Sequence, residues 1–141
     1  EALSSWRAAQ DLDVNLGYAF TKSYDGSTCS NINDTSCNEP MNVRVPVHSF
    51  SSSFVKKFDK NFTASAQYKY VGERRDYGGS DNSFKSVMLD EYSVVNLSTD
   101  YKLNDYKMTF SLKNLFDENY SEAWGYNTLG RNLNFKFGKQ F

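Results

Sequence analysis

The sequence predicts an all-β protein, an antiparallel up-and-down transmembrane β-barrel present only in part, and three observations carry that prediction. Apolar and polar residues alternate with a period of two over stretches close to barrel-strand length. Short and long connections alternate between those stretches. No run of about 18 apolar residues exists that could cross a membrane as a helix.

Composition agrees with this class. The chain of 141 residues is 39% hydrophobic and 16% aromatic, with a mean hydropathy of −0.66. Only every second residue of a spanning strand faces lipid, so low average hydropathy and strong alternation go together in barrels. Val, Tyr, Phe and Thr set among Asn, Asp, Ser and Gly favour strands over helices. The length fits one domain, and a net charge of −1 gives no electrostatic reason to expect nucleic acid as a partner. The chain opens at Glu1-Ala2-Leu3 with neither a methionine nor a charged segment followed by an apolar run. Processing or fragmentation is therefore expected to have removed a beginning.

Taken in order, residues 1–7 form a partial strand. Leu12, Val14, Leu16, Tyr18 and Phe20 alternate with Asp13, Asn15, Gly17, Ala19 and Thr21. Phe62, Ala64, Ala66, Tyr68 and Tyr70 alternate with Thr63, Ser65, Gln67 and Lys69. Val95, Leu97, Thr99, Tyr101 and Leu103 alternate with Asn96, Ser98, Asp100 and Lys102, and Met108, Phe110 and Leu112 with Lys107, Thr109, Ser111 and Lys113. The last stretch sets Leu133, Phe135, Phe137 and Phe141 against Asn132, Asn134, Lys136, Gly138 and Gln140. Connections are short at 8–11, 59–61 and 104–105, and long at 24–43, 76–87 and 117–130. Tight periplasmic turns and long extracellular loops have this asymmetry, which gives about seven strands with the chain end on the periplasmic side. So few strands leave open edges that lipid cannot satisfy, so the chain is not expected to span a membrane alone.

The stretch Leu112-Lys113-Asn114-Leu115-Phe116-Asp117-Glu118-Asn119-Tyr120, then Gly125-Tyr126-Asn127-Thr128-Leu129-Gly130-Arg131, then a strand ending at Phe141, resembles the C-terminal signature of TonB-dependent receptors. Arg44-Val45-Pro46-Val47-His48, opening a strand after a long loop, resembles another element of that family, and the likeness is strongest to its cobalamin-uptake branch. The resemblance implies a barrel of about 22 strands closed by a plug, of which this chain supplies the C-terminal segment at 1–141. It further implies an outer-membrane location, contact with lipid, with the rest of the barrel and with the plug, and TonB engagement through an N-terminal region absent here. The small-molecule ligand would be a scarce nutrient such as a cobalamin or a ferric siderophore. The family pattern favours an apolar residue two before the terminal aromatic, where this chain has Lys139.

Individual residues have alternative readings. Leu133, Phe135, Phe137 and Phe141 fit both a strand recognised by the barrel-assembly machinery and the plain lipid-facing side of a last strand. Trp124, Tyr126 and Arg131 could offer a ligand an aromatic platform and a cation; a loop packed on itself, with Arg131 paired to a carboxylate or lumen group, is the simpler reading. An intraloop disulfide is the simplest use of Cys29 and Cys37 in an oxidising compartment, against free thiols in a reducing one. Asp25, Asp34 and Glu39 match no calcium-loop spacing and read as a solvated acidic loop. Lys69, Gln67, Asn96 and Asp100 would line a lumen. Glu73-Arg74-Arg75-Asp76 reads as a solvated rim. With His48 the only histidine, neither a catalytic triad nor a multi-histidine metal site can be built, and no enzyme or cofactor is expected. The competing architecture is a soluble or surface β-sandwich binding a partner through its loops, for which so aromatic an outer face would be a liability.

Overall fold

In the computed structural model, residues 1–22, 43–78 and 85–139 are described. Their period-two stretches become strands β1 (Ala2–Ala9), β2 (Leu12–Phe20), β3 (His48–Lys57), β4 (Phe62–Val71), β5 (Arg74–Gly78), β6 (Lys85–Leu89), β7 (Tyr92–Leu103), β8 (Tyr106–Lys113) and β9 (Asn132–Lys139). Seven of them form one antiparallel sheet in the order β1-β2-β3-β4-β7-β8-β9, while β5 and β6 pair separately as a hairpin. Each strand of the large sheet neighbours the next along the chain, apart from the excursion into that hairpin. This is the up-and-down order expected of a barrel wall.

The short connections are local chemistry. Between β3 and β4, the Asp59 carboxylate accepts the N–H groups of Asn61 at 2.6 Å and Phe62 at 2.8 Å, an Asx-type turn. Between β7 and β8, Asn104 takes a positive φ of 53°, a conformation Asn tolerates better than most residues. At the β1–β2 turn, Asp11 pairs with Lys56, and its backbone carbonyl accepts the N–H of Lys57 at 2.8 Å.

Register sorts the side chains onto two faces. Trp6, Val14, Phe54, Ala66, Leu97, Leu112 and Leu133 stand opposite one another in a single row across the whole large sheet. One residue away, Ser5, Asn15, Ser53, Gln67 and Asn96 form a polar row on the other face. Trp6, Phe54, Leu97, Phe110 and Leu133 are 37–73% exposed. Among the described residues no second sheet covers that apolar face, as a β-sandwich would require. The chain exposes 10176 Å², against roughly 7,500 Å² for a globular monomer of this mass. It is a single-layer wall.

The buried core is correspondingly small. Val71, Tyr92 and Val94 cluster with the ring of Tyr120 packed against them. By strand parity they share the face of Gln67 and Asn96, so the segment carrying Tyr120 folds over the polar side.

Two expectations need correction. The stretch 76–87 is not simply a long loop, because its ends belong to β5 and β6. The run Glu73-Arg74-Arg75-Asp76 is not a solvated rim, since Arg74 is only 3% and Asp76 only 1% exposed. Both side chains are held by partners distant in sequence, which a local reading of charge density does not capture. The element opening at Arg44 begins as a turn, with Arg44 at φ 64°, and becomes strand at His48. Cys29, Cys37, Asp25, Asp34, Glu39 and Phe141 lie outside the described residues.

Candidate functional site

The polar face and the segment folded over it define the site. Along the wall, Ser5 Oγ donates to Asn15 Oδ1 at 2.7 Å and Asn15 Nδ2 to Ser53 Oγ at 3.1 Å, continuing the ladder from strand to strand. Ser98 and Ser111 hydroxyls meet at 3.3 Å, and Thr109 Oγ1 donates to Asp100 Oδ1 at 2.5 Å. Such short polar side chains satisfy one another and still present further donors and acceptors on the polar face.

The segment after β8 is shaped by the residues of the signature. Asn114, 3% exposed, adopts φ 53°. Its backbone N–H donates to Asn96 Oδ1 at 3.0 Å; its amide donates to the Glu118 carbonyl at 2.8 Å and accepts the Glu118 N–H at 2.8 Å. Asp117, at φ 59°, accepts the backbone N–H of Arg131 at 2.6 Å. A Cβ on Gly130 would come within 2.7 Å of Asp117 Oδ1. The spaced Asn, Asp and Gly-Arg are thus a device that closes a loop between β8 and β9. Thr128 Oγ1 adds a bond to the Tyr120 carbonyl at 2.7 Å.

The β5–β6 hairpin clasps that loop. Asp76 accepts the Trp124 N–H at 2.7 Å and the Tyr77 N–H at 2.8 Å, and Arg44 Nε at 3.1 Å from each carboxylate oxygen. Burial alone would raise this carboxyl, but the Trp124 N–H, the Arg44 guanidinium and the Tyr77 N–H outweigh it and hold it below its ordinary value of 3.8. Arg74 donates to the carbonyls of Ser121 and, at 3.2 Å, Asp90, and its guanidinium lies 5.0 Å from the Tyr92 ring centroid. Tyr92 stacks on Tyr120 at 4.1 Å. Lys69 reaches Glu122 at 3.8 Å. A cavity of ≈ 430 Å³ remains between wall and loop, lined among others by Lys69, Asn96, Asn114, Tyr120, Leu129 and Asn134.

Of the residues singled out from sequence, Lys69, Gln67, Asn96 and Asp100 all fall on the polar face. Trp124 is half-exposed, its N–H tied to Asp76 and its ring occupying the space a Gly78 side chain would need. Tyr126 is 73% exposed. The backbone of Arg131 is tied to Asp117. Leu133, Phe135 and Phe137 stand exposed on the apolar face, with Phe135 against Phe110 at 4.6 Å and Phe137 against Tyr106 at 5.3 Å. Sequence reasoning missed Arg44, Arg74, Asp76, Tyr92 and Tyr120. Arg44 and Tyr120 lie within the two stretches that resemble family motifs, and the alternation of Arg74 and Asp76 with Arg75 and Tyr77 was a further advance signal. Among the described residues, no helix is long and apolar enough to cross a membrane and no group of His, Cys, Asp or Glu could hold a metal ion.

A two-faced antiparallel wall with a polar, loop-covered inner side defines the chain as a section of a large β-barrel. The TonB dependent receptor-like β-barrel family model matches residues 1–115, and the chain belongs to that family. The Vitamin B12 transporter BtuB of Vibrio cholerae serotype O1 is 35% identical over 79 residues, which make up 55% of this chain and 13% of that protein. Among solved structures, a variant of the ferric enterobactin receptor PfeA of Pseudomonas aeruginosa superposes on 99% of this chain and 21% of its own, with a TM-score of 0.73 at 16% identity. FpvA of Pseudomonas aeruginosa, bound to heterologous pyoverdines, superposes on 96% of this chain and 18% of its own, with a TM-score of 0.74 at 18% identity. These structural likenesses concern the fold alone, and the chain spans a small part of every one of these relatives.

Proposed function

We propose that the chain is the C-terminal part of the wall of a bacterial outer-membrane receptor that takes up a scarce nutrient with energy delivered by TonB. The observation that carries this reading is the arrangement of the apolar face. Phe62 and Tyr101 pair near the short-turn end, and Tyr70 pairs with Ser93 near the other, beside Phe50. Phe62 and Tyr70 lie eight residue steps apart on β4, about 26 Å along the strand. A tilt of about 40° reduces that to about 20 Å, close to the apolar band between the aromatic girdles of an outer-membrane barrel.

In this reading the polar face lines a lumen filled by an N-terminal plug, and TonB acts through a region N-terminal to this segment. The exposed Leu133, Phe135 and Phe137 belong to the signature, ending in sequence at Phe141, that barrel-assembly machinery recognises. Trp124, Tyr126 and Arg131 stand at the ligand-facing end. The identity to a vitamin B12 transporter favours a cobalamin over a ferric siderophore. No bond is made or broken in the ligand.

Expression of the complete reading frame tests this reading through heat-modifiable gel migration of the outer-membrane fraction, followed by cobalamin binding. An SDS-resistant species that shifts on boiling and binds cobalamin is the expected result. A shifting species that binds only ferric chelates replaces the ligand. A soluble, unshifted product overturns the membrane reading.

A further inference from the structure

Three connections leave the end of the large sheet opposite its short turns, and their described residues meet at one carboxylate. Arg44 belongs to the connection between β2 and β3, Asp76 to the hairpin between β4 and β7, and Trp124 to the connection between β8 and β9. Asp76 Oδ2 accepts both Arg44 Nε at 3.1 Å and the Trp124 N–H at 2.7 Å, while Oδ1 accepts the Tyr77 N–H at 2.8 Å. The first connection also reaches β5 through its backbone, where the Arg44 N–H donates to the Arg75 carbonyl at 2.7 Å. Among the described residues, no hydrogen bond or ion pair joins residues 43–47 directly to residues 114–131. Asp76 is their shared partner.

A carboxylate 1% exposed has little water to fall back on, so the loss of either donor is felt by the other. Arg44 supplies the counter-charge that lets the carboxylate stay buried and aimed at Trp124. Trp124 in turn helps to hold the oxygen that Arg44 shares. The remaining ties of the β8–β9 connection do not involve Arg44: Tyr120 stacks on Tyr92 at 4.1 Å, Arg74 holds the Ser121 carbonyl, and Glu122 meets Lys69 at 3.8 Å. The closure of Asn114 on Glu118 is likewise separate from it. We infer that Asp76 couples the connection before β3 to the β8–β9 connection, so that the two loosen and tighten together. Such coupling is reciprocal: what Arg44 does for the Trp124 end, Trp124 does for the Arg44 end. It goes beyond the proposed function and requires no particular nutrient. A molecule that touches either connection changes the order of both.

Hydrogen exchange of the full-length protein, read by mass spectrometry, tests both directions. Arg44→Gln is expected to accelerate exchange in residues 121–127 about tenfold, although Arg44 bonds to none of them, and to leave residues 114–118 unchanged. In the other direction, Trp124→Pro removes the backbone donor and Trp124→Phe keeps it. Only the proline variant is expected to accelerate exchange in residues 43–48, again about tenfold. If Arg44→Gln does not assemble, Arg44→Lys keeps the charge but loses the Nε donor, and the same readings decide. Acceleration confined to the connection that carries the substitution overturns the coupling. Equal acceleration by Trp124→Phe and Trp124→Pro also overturns it, since the backbone bond then transmits nothing. Heat-modifiable migration of the parent reports on the receptor reading separately. A parent that does not shift removes that reading, while the exchange data still decide the coupling.

Discussion

Asp76 accepts the backbone N–H of Trp124 at 2.7 Å from 48 positions away in the chain, with its own carboxylate almost wholly buried. Three donors converge on its two oxygens, from Arg44, Tyr77 and Trp124. Replacing Asp76 by Asn turns one oxygen into an NH2 group facing a donor. A buried donor left unsatisfied costs about 1–3 kcal/mol. We expect Asp76→Asn in the full-length protein to accelerate exchange of the Trp124 amide roughly 10- to 100-fold, with the strands of the large sheet unaffected. Hydrogen exchange read by mass spectrometry checks both halves of that statement.

The same carboxylate sets a pH dependence. Its pKa in the folded protein lies below the ordinary 3.8, so the unclasped state binds the proton more readily. The stabilisation is complete above about pH 4 and is lost as pH falls through the lowered value. Tryptophan emission and proteolysis of the 121–127 segment are expected to stay constant from about pH 8 to 5 and to change only in stronger acid. Arg44→Gln should move that change to higher pH. A transition near neutrality would assign the clasp to another group.

Gly78 and Trp124 occupy one space. A Cβ on Gly78 would overlap the indole ring, so either the ring turns away or the loop carrying it shifts. Gly78→Ala should therefore displace the indole and loosen the loop, an overpacking cost of about 1–3 kcal/mol. Gly78→Ala in a Trp124→Leu background should cost much less, and comparing local exchange in the two variants measures the coupling.

The loop-closing device at Asn114 gives a further expectation. Ala at φ 53° costs about 1–2 kcal/mol, and the paired bonds to Glu118 disappear with the amide. Asn114→Ala should destabilise the segment by about 2–4 kcal/mol, whereas Asn114→Gly should recover part of that by removing the backbone term. Equal losses for the two variants would place the whole effect in the side-chain bonds.

The large sheet was legible because both of its signals are local. Leu97 and Asn96 are neighbours in sequence and point to opposite faces, and the short turns at Asp59 and Asn104 are written in the turn residues themselves. The strand β3 was noticed only at its entrance, since Ser51, Ser52 and Ser53 erase the alternation there. The β5–β6 hairpin was hidden for another reason. Arg74 and Asp76 look solvated until Ser121, Trp124 and Arg44 arrive from 47, 48 and 32 positions away, and no local pattern announces such partners. The covering of the polar face by Tyr120 was invisible on the same ground.

Ala66 and Ser65 are adjacent on β4, yet register puts Ala66 in the apolar row between Phe54 and Leu97 and Ser65 on the polar face between Val55 and Ser98. An arginine introduced at each position separates a lipid face from a water-facing one. On the lipid face near the midplane it costs about 2–4 kcal/mol, while the lumen tolerates it. Ala66→Arg should therefore shift urea-dependent folding of the full-length receptor into lipid vesicles by that amount, and Ser65→Arg by less than about 1 kcal/mol. The reverse order would put lipid on the side of Gln67 and Asn96, and the clasped loop could then no longer lie within a lumen.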